Sequence, residues 1–305
     1  MKFPFALAAA IMTVPAAAED ARAPAPNQCA APEGWAAVTA RDPDFVVFGE
    51  THGTNEAPAF VERLICAEAE RGQRLLLAVE HSSWQNQAWQ AAWALPHEAF
   101  QQALPELGWR NRDDGVASEA MLRLILAAHR HKERGALIDI VAFNGARDDD
   151  QRTRFADLPG QGPHEAAQAE NIAEAAAQKD YDRVIVLVGN LHAEIAPLSI
   201  GGPEFEPMAV RLRRYGSLLS LGLQHGGGEA WNCLLVPETK VAPGEDVTND
   251  MISCAASATS AEGSSDRPPH IAVGEFADPR LERRFDGTFW VGPISASPPA
   301  FPPER

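Results

Sequence analysis

Basic residues are scarce in this 305-residue chain: 26 Lys and Arg stand against 42 Asp and Glu, a formal net charge of −16. Phosphate recognition uses Lys and Arg to displace condensed counterions, so the balance argues against nucleic acid as a partner and disfavours an anionic membrane surface. Beyond the N-terminal stretch no apolar run is long enough to span a bilayer, so no membrane span is expected downstream of it. Cysteine is limited to four residues with no Cys-x-x-Cys spacing, which weighs against cysteine as a metal ligand. Internal repeats are absent, apart from one short motif that occurs twice.

What is present is ordinary globular material. Hydrophobic residues make up 45% and charged ones 22%, enough for a sizeable core in one large domain or two small ones. Residues 1–18 combine Lys2, an apolar run over 3–14 and the exit Pro15-Ala16-Ala17-Ala18, the pattern of a secretory signal peptide. The product is then expected in the periplasm or outside the cell, with no cysteine after the apolar run to carry a lipid anchor. In an oxidising compartment Cys29, Cys66, Cys233 and Cys254 favour disulfides, and sequence proximity favours Cys29–Cys66 and Cys233–Cys254 among the three pairings.

Residues 19–34, rich in Ala, Pro and Asp, read as a flexible arm, and 35–240 as the main domain. Phe45-Val46-Val47-Phe48 is a continuous apolar run, as in a strand buried on both faces, and 58–71 follows with helical spacing up to a stop at Gly72. Strands over 75–79, 137–143 and 183–188 alternate with helices over 86–94, 118–134 and 164–179. Ser118 supplies half of a capping box. Such alternation predicts an α/β fold: a central, largely parallel sheet covered by helices on both faces. Segments 217–223 and 231–236, separated by Gly226-Gly227-Gly228, are expected as an antiparallel hairpin on the sheet edge. Residues 241–269 read as a loop, and 270–305 as two short strands with a Pro-rich tail, completing an antiparallel C-terminal extension on the same domain.

The repeated motif is Gly-x-x-His. Gly49-Glu50-Thr51-His52 follows the first buried strand and Gly189-Asn190-Leu191-His192 the strongest one, while Glu80-His81 ends the second. Carboxyl ends of parallel strands form the ligand crevice of an open sheet, so all three land on one rim. Glycine is expected there to let the chain turn sharply off the strand. Two histidines and two carboxylates converging in this way suit metal ligation or a general base oriented by acids. His81, beside Glu80, is the least secure member, since neighbouring strand residues point to opposite faces.

These residues, with a helix carrying Arg63 between the first two, resemble the superfamily that unites erythromycin esterases, the haem-uptake protein ChaN and the Tiki/TraB proteases. The resemblance covers roughly residues 40–225. It implies a hydrolase in which His52 activates water against an ester or amide carbonyl of a small molecule or peptide, with Glu50 and Glu80 as orienting acids, Arg63 as electrostatic support and His192 as a second polar wall. In the metal-dependent branch, Glu50, His52, Glu80 and His192 would hold a divalent cation, Mn or Zn. The alternative it implies is a periplasmic haem- or metal-binding protein without turnover. Tyrosine, a common haem ligand, occurs only as Tyr181 and Tyr215, so histidine would have to serve. The chain departs from the esterase branch at His164-Glu165, where that branch carries an Arg- and Met-containing stretch, and it lacks that branch's additional helical region. Neither feature favours a macrolide substrate.

Other features read more simply. Trp84, Trp89, Trp93 and Trp109 read as a core or lid helix rather than a stacking platform. His129 and His131, two apart on a helix, do not share a face. Arg147 with Asp148, Asp149 and Asp150 reads as a solvated loop. Arg211, Arg213 and Arg214 read as an anion contact or as charge balance near a helix end.

Overall fold

The computed structural model describes residues 29–236, 239, 248 and 251–302. The expected signal peptide, most of the arm and part of the 241–269 segment lie outside the described residues. Five strands are parallel neighbours: β1 (Phe45–Glu50), β2 (Leu75–Ser82), β3 (Ile138–Asn144), β4 (Arg183–Gly189) and β5 (Leu218–Gln224). Every residue of β1 and β4 is buried, which is why 45–48 and 184–188 are continuous apolar runs rather than alternating ones. Outside the sheet lies a two-stranded pair, β6 (Gly228–Leu235) and β7 (Ile252–Thr259), and the chain closes with β8 (His270–Val273) and β9 (Gly287–Trp290). The main sheet runs β3-β2-β4-β1-β5-β9-β8, with β8 antiparallel at its edge.

Alternate residues of each strand feed two cores. Val46, Phe48, Leu75, Leu77 and Val79 pack with Phe60 and Leu64 of the helix Glu56–Glu70 and with Met121 and Leu124 of the helix Glu119–Glu133. Phe45, Val47, Leu76, Ala78 and Val186 pack on the other face with Ile172 of the helix Gly162–Ala176 and Met208 of the helix Met208–Leu212. The connection leaving β1 therefore covers one face, and the one leaving neighbouring β4 covers the other. The chain thus leaves the carboxyl ends of these two strands toward opposite faces, the switch point at which an open parallel sheet places its ligand crevice.

Several expectations hold. The helix 58–71 is observed as Glu56–Glu70, and Gly72 follows its C-cap at φ +75°. Ser118 accepts from the Met121 backbone N–H. Trp89, Trp93 and Trp109 are buried in the core, whereas Trp84 is 69% exposed. Arg211 and Arg214 pair with Glu206 and Arg213 with Asp286, the charge-balance reading.

Three expectations are corrected. Segments 217–223 and 231–236 do not form a hairpin: β5 is interior and parallel to β1, while β6 pairs with β7. The 241–269 loop consequently contains a strand, which its Ser- and Ala-rich composition concealed because both of its faces are largely exposed. Residues 147–150 are not a solvated loop either. Asp148 caps the helix Asp149–Phe155 through the Gln151 N–H, and Arg147 pairs with Glu174.

Both proximity pairings of cysteine are present, Cys29–Cys66 anchoring the described start of the chain to the helix Glu56–Glu70 and Cys233–Cys254 crossing the β6/β7 pair. The first closes a separation of 37 residues. Loop-closure entropy then makes Cys66→Ser destabilising by about 3 to 4 kcal/mol. Urea unfolding of the oxidised protein against this variant measures it. Cys233→Ser, confined to a pair of strands outside the main sheet, is expected to shift the global midpoint less.

Candidate active site

Glu50 is the last residue of β1, and the chain then bends so that His52 leans back over the neighbouring end of β4. His52 Nδ1 is 2.9 Å from Glu50 Oε1, and its Nε2 is 3.3 Å from Glu80 Oε2. Glu80 reaches this point from β2 and also accepts the Gly189 backbone N–H at 2.8 Å. On its far side, Glu80 Oε1 is 3.7 Å from His192 Nε2. His192 Nδ1 in turn lies 2.8 Å from Glu165 Oε1, and Glu165 Oε2 accepts the Met208 N–H at 2.7 Å. The result is one chain of charge, Glu50–His52–Glu80–His192–Glu165, across three adjacent strand ends.

The electrostatics follow from who is buried beside whom. Burial pulls the His52 pKa down, but the facing Glu80 and Glu50 outweigh it and hold the imidazole well above the ordinary histidine range. Burial alone would raise Glu80, yet the His52 charge holds its carboxyl down at about 2. Glu50 goes the other way: desolvation dominates and raises it, with Oε2 buried and unpartnered. His192 is likewise held up by Glu165 and Glu80 against its burial. His52 keeps 27% of its side chain open to solvent and His192 18%, while the two strand-end glutamates are buried, so His52 is the more reachable of the two histidines.

Glycine plays a different part in the two motifs from the one expected. Gly49 is inside β1, and a Cβ there would sit 2.6 Å from Asn190 Oδ1 and 2.7 Å from the Ala193 Cβ. A Cβ on Gly189 would sit 2.8 Å from His52 Nε2. Both positions need glycine for close approach, and the left-handed turn falls instead at Gly53, φ +71°. Beside the array, a cavity of about 420 Å³ opens at the ends of β4 and β5, lined by Asn190, Leu223, Gln224, Glu262, Arg284 and Phe285.

Thus Glu50, His52, Glu80 and His192 come together. Arg63 does not join them. It is half-buried on the helix Glu56–Glu70 and forms no hydrogen bond or ion pair among the described residues. His81 points to the opposite face, fully buried, with its ring stacked 4.5 Å from Trp109, and burial takes its pKa down to about 3. Glu165 was missed from sequence. Its only signal was an acid in the first turn of an Ala-rich helix, where the helix dipole favours negative charge. His164 sits beside it, its ring 5.8 Å from that of His192.

Imidazole and carboxylate donors are of the kinds that bind a divalent cation, but Glu50, His52, Glu80 and His192 do not bring three donor atoms within 4.8 Å of one another. Nδ1 of each histidine is bonded to a buried carboxylate, Glu50 or Glu165, which leaves both Nε2 atoms facing Glu80. His192 belongs to a second group as well, with His164 and Glu165, whose donor atoms all lie within 4.8 Å of one another.

No protein-family model and no curated protein matches the sequence. Solved structures do. A mutant of the erythromycin esterase EreC in its open conformation superimposes with a TM-score of 0.58 at 12% identity, over 86% of this chain and 94% of that one. A succinoglycan biosynthesis protein gives 0.55 at 10% identity, over 87% and 91%, and a Bacillus cereus protein 0.50 at 12%, over 85% and 90%. The parallel sheet, its strand-end crevice and these superpositions together give the chain the erythromycin-esterase-like fold.

Proposed function

We propose that the protein is a secreted or periplasmic hydrolase in which His52 drives attack of water on an ester or amide carbonyl. The observation that carries this reading is a partly exposed imidazole held at both nitrogens by buried carboxylates of two separate strands. With Nδ1–H donated to Glu50, the neutral ring keeps its lone pair on Nε2. Nε2 takes a proton from water as the oxygen bonds to the carbonyl carbon. The proton then passes to the leaving oxygen or nitrogen as its bond to carbon breaks, so the residue ends as it began. Burial lowers the His192 pKa but Glu165 and Glu80 outweigh it and favour the protonated ring, whose Nε2–H donates toward the developing oxyanion. The two disulfides suit an oxidising compartment, and among the described residues no helix is long and apolar enough to cross a membrane.

In the metal-dependent alternative, His52, Glu80 and His192 would hold a divalent ion such as Mn²⁺ or Zn²⁺, which would supply Lewis-acid polarisation in place of proton abstraction by His52. The acidic surface, net −16, and the glutamates of the crevice favour a neutral or cationic substrate over an anionic one. A panel of neutral and cationic esters and peptides, run with EDTA, Mn²⁺ or Zn²⁺, is expected to reveal hydrolysis that His52→Ala abolishes. Equal inactivity of wild type and variant on the whole panel rejects the reading. A Soret shift on haemin titration that disappears in His52→Ala or His192→Ala would instead assign the crevice to haem.

A further inference from the structure

A second histidine cluster lies outside the strand-end array, where the helix His97–Ala103 meets the helix Glu119–Glu133. His97 Nδ1 and His129 Nδ1 face each other at 3.2 Å. Glu133, one turn beyond His129 on the same helix face, accepts the His97 backbone N–H, which anchors its carboxylate beside the pair. The donor atoms of all three residues lie within 4.8 Å of one another.

We propose that His97, His129 and Glu133 form a binding site for a divalent transition cation of the zinc class, clipping the two helices together. Two zinc–nitrogen bonds of about 2.0 to 2.1 Å in a tetrahedral arrangement place their nitrogens about 3.3 Å apart, close to the separation observed. His129 is set up as a ligand: its Nε2–H donates to the Trp93 carbonyl at 3.2 Å, which leaves the lone pair on Nδ1. Its ring is fixed further by stacking on Phe100, centroids 4.2 Å apart, and by the edge of Trp93 at 4.8 Å. Burial lowers both histidines, so both are neutral at neutral pH, the form that binds metal. His97 is half-buried and Glu133 exposed, so one side remains open for water as the fourth ligand. Imidazole donors select zinc, nickel or copper over magnesium and calcium.

The charged neighbours are mixed. Arg130 Nε donates to His97 Nε2 at 3.1 Å and Lys132 to the Trp93 carbonyl, while Glu98 and Glu133 supply negative field at His97. Zinc on Nδ1 requires the His97 proton to move to Nε2 and Arg130 to swing away into solvent. That rearrangement makes the site one of moderate affinity.

The test is calorimetric titration of the disulfide-intact protein with ZnCl₂, using wild type, His97→Ala, Glu133→Gln and His52→Ala. The expected result is a zinc equivalent whose affinity falls at least tenfold in His97→Ala and Glu133→Gln and which persists in His52→Ala, any equivalent lost in His52→Ala being the separate one of the strand-end array. Zinc should also raise the unfolding midpoint of wild type but not of His97→Ala, because it binds only the folded state. Should His97→Ala fail to fold, Glu133→Gln reads the same site. Undetectable binding, or binding that survives both variants, overturns the proposal, as does loss in His52→Ala alone, which would place the ion in the strand-end array.

Discussion

Gly189→Ala is expected to cut hydrolysis by roughly 100-fold while leaving the fold intact. The added Cβ would stand 2.8 Å from His52 Nε2 and 3.6 Å from His192 Cδ2, too close to the first for any normal contact. Backbone atoms are not the obstacle, so the sheet keeps its register and the partly exposed imidazole gives way. In moving, His52 loses its alignment with Glu50 and Glu80, and a displacement of about 1 Å at a catalytic group costs on the order of 10² in rate. Steady-state kinetics beside circular dichroism and thermal unfolding separate this outcome from misfolding. Full activity in a folded alanine variant would remove His52 from the chemistry.

Glu80→Gln is expected to move the pH–rate profile toward acid and to lower its plateau. As a base, His52 works only when neutral. In the native protein burial lowers its pKa, but Glu80, the larger of the raising influences, and then Glu50 hold it well above ordinary. Activity should therefore climb through alkaline pH. With the carboxylate gone, the ascending limb shifts down because the imidazole loses its proton more readily, while the maximal rate drops because Nε2 loses its partner. A limb that stays in place would mean that His52 is not the titrating base.

Stability changes with the same signs. A histidine raised in the folded state contributes stability that is complete below its unfolded pKa of about 6.5 and is lost as pH rises through the folded value. Glu80, depressed to about 2, contributes stability present above the ordinary glutamate range and lost as pH falls toward 2. Glu50, raised by desolvation, opposes folding once it ionises. Wild type should thus lose stability at both ends of the range, and Glu80→Gln should lose less than wild type on going from neutral to acid pH.

Much of this arrangement was legible without coordinates. The apolar runs at 45–48 and 184–188 announced strands buried on both faces, since a half-exposed strand alternates apolar with polar residues. Their order and the motifs at their ends placed Glu50, His52, Glu80 and His192 on one rim. The β6/β7 pair was not legible. A short apolar segment after a glycine turn looks the same whether its partner precedes or follows it, and β7 has too little buried surface to leave a pattern. The His97–His129 pair was equally hidden, because its members are 32 residues apart on separate helices.

Local apolar patterning was enough for the α/β class and for the strand ends that carry the polar residues, and nearness along the chain favoured the cysteine pairing that is observed. Which of Glu80 and His81 joins the array became visible only in three dimensions. The tertiary structure also brought Glu165 beneath His192 and turned the glycines of both motifs into points of contact. Each of those outcomes depends on which face of one element meets another, a relation between residues far apart in the chain that no local pattern encodes.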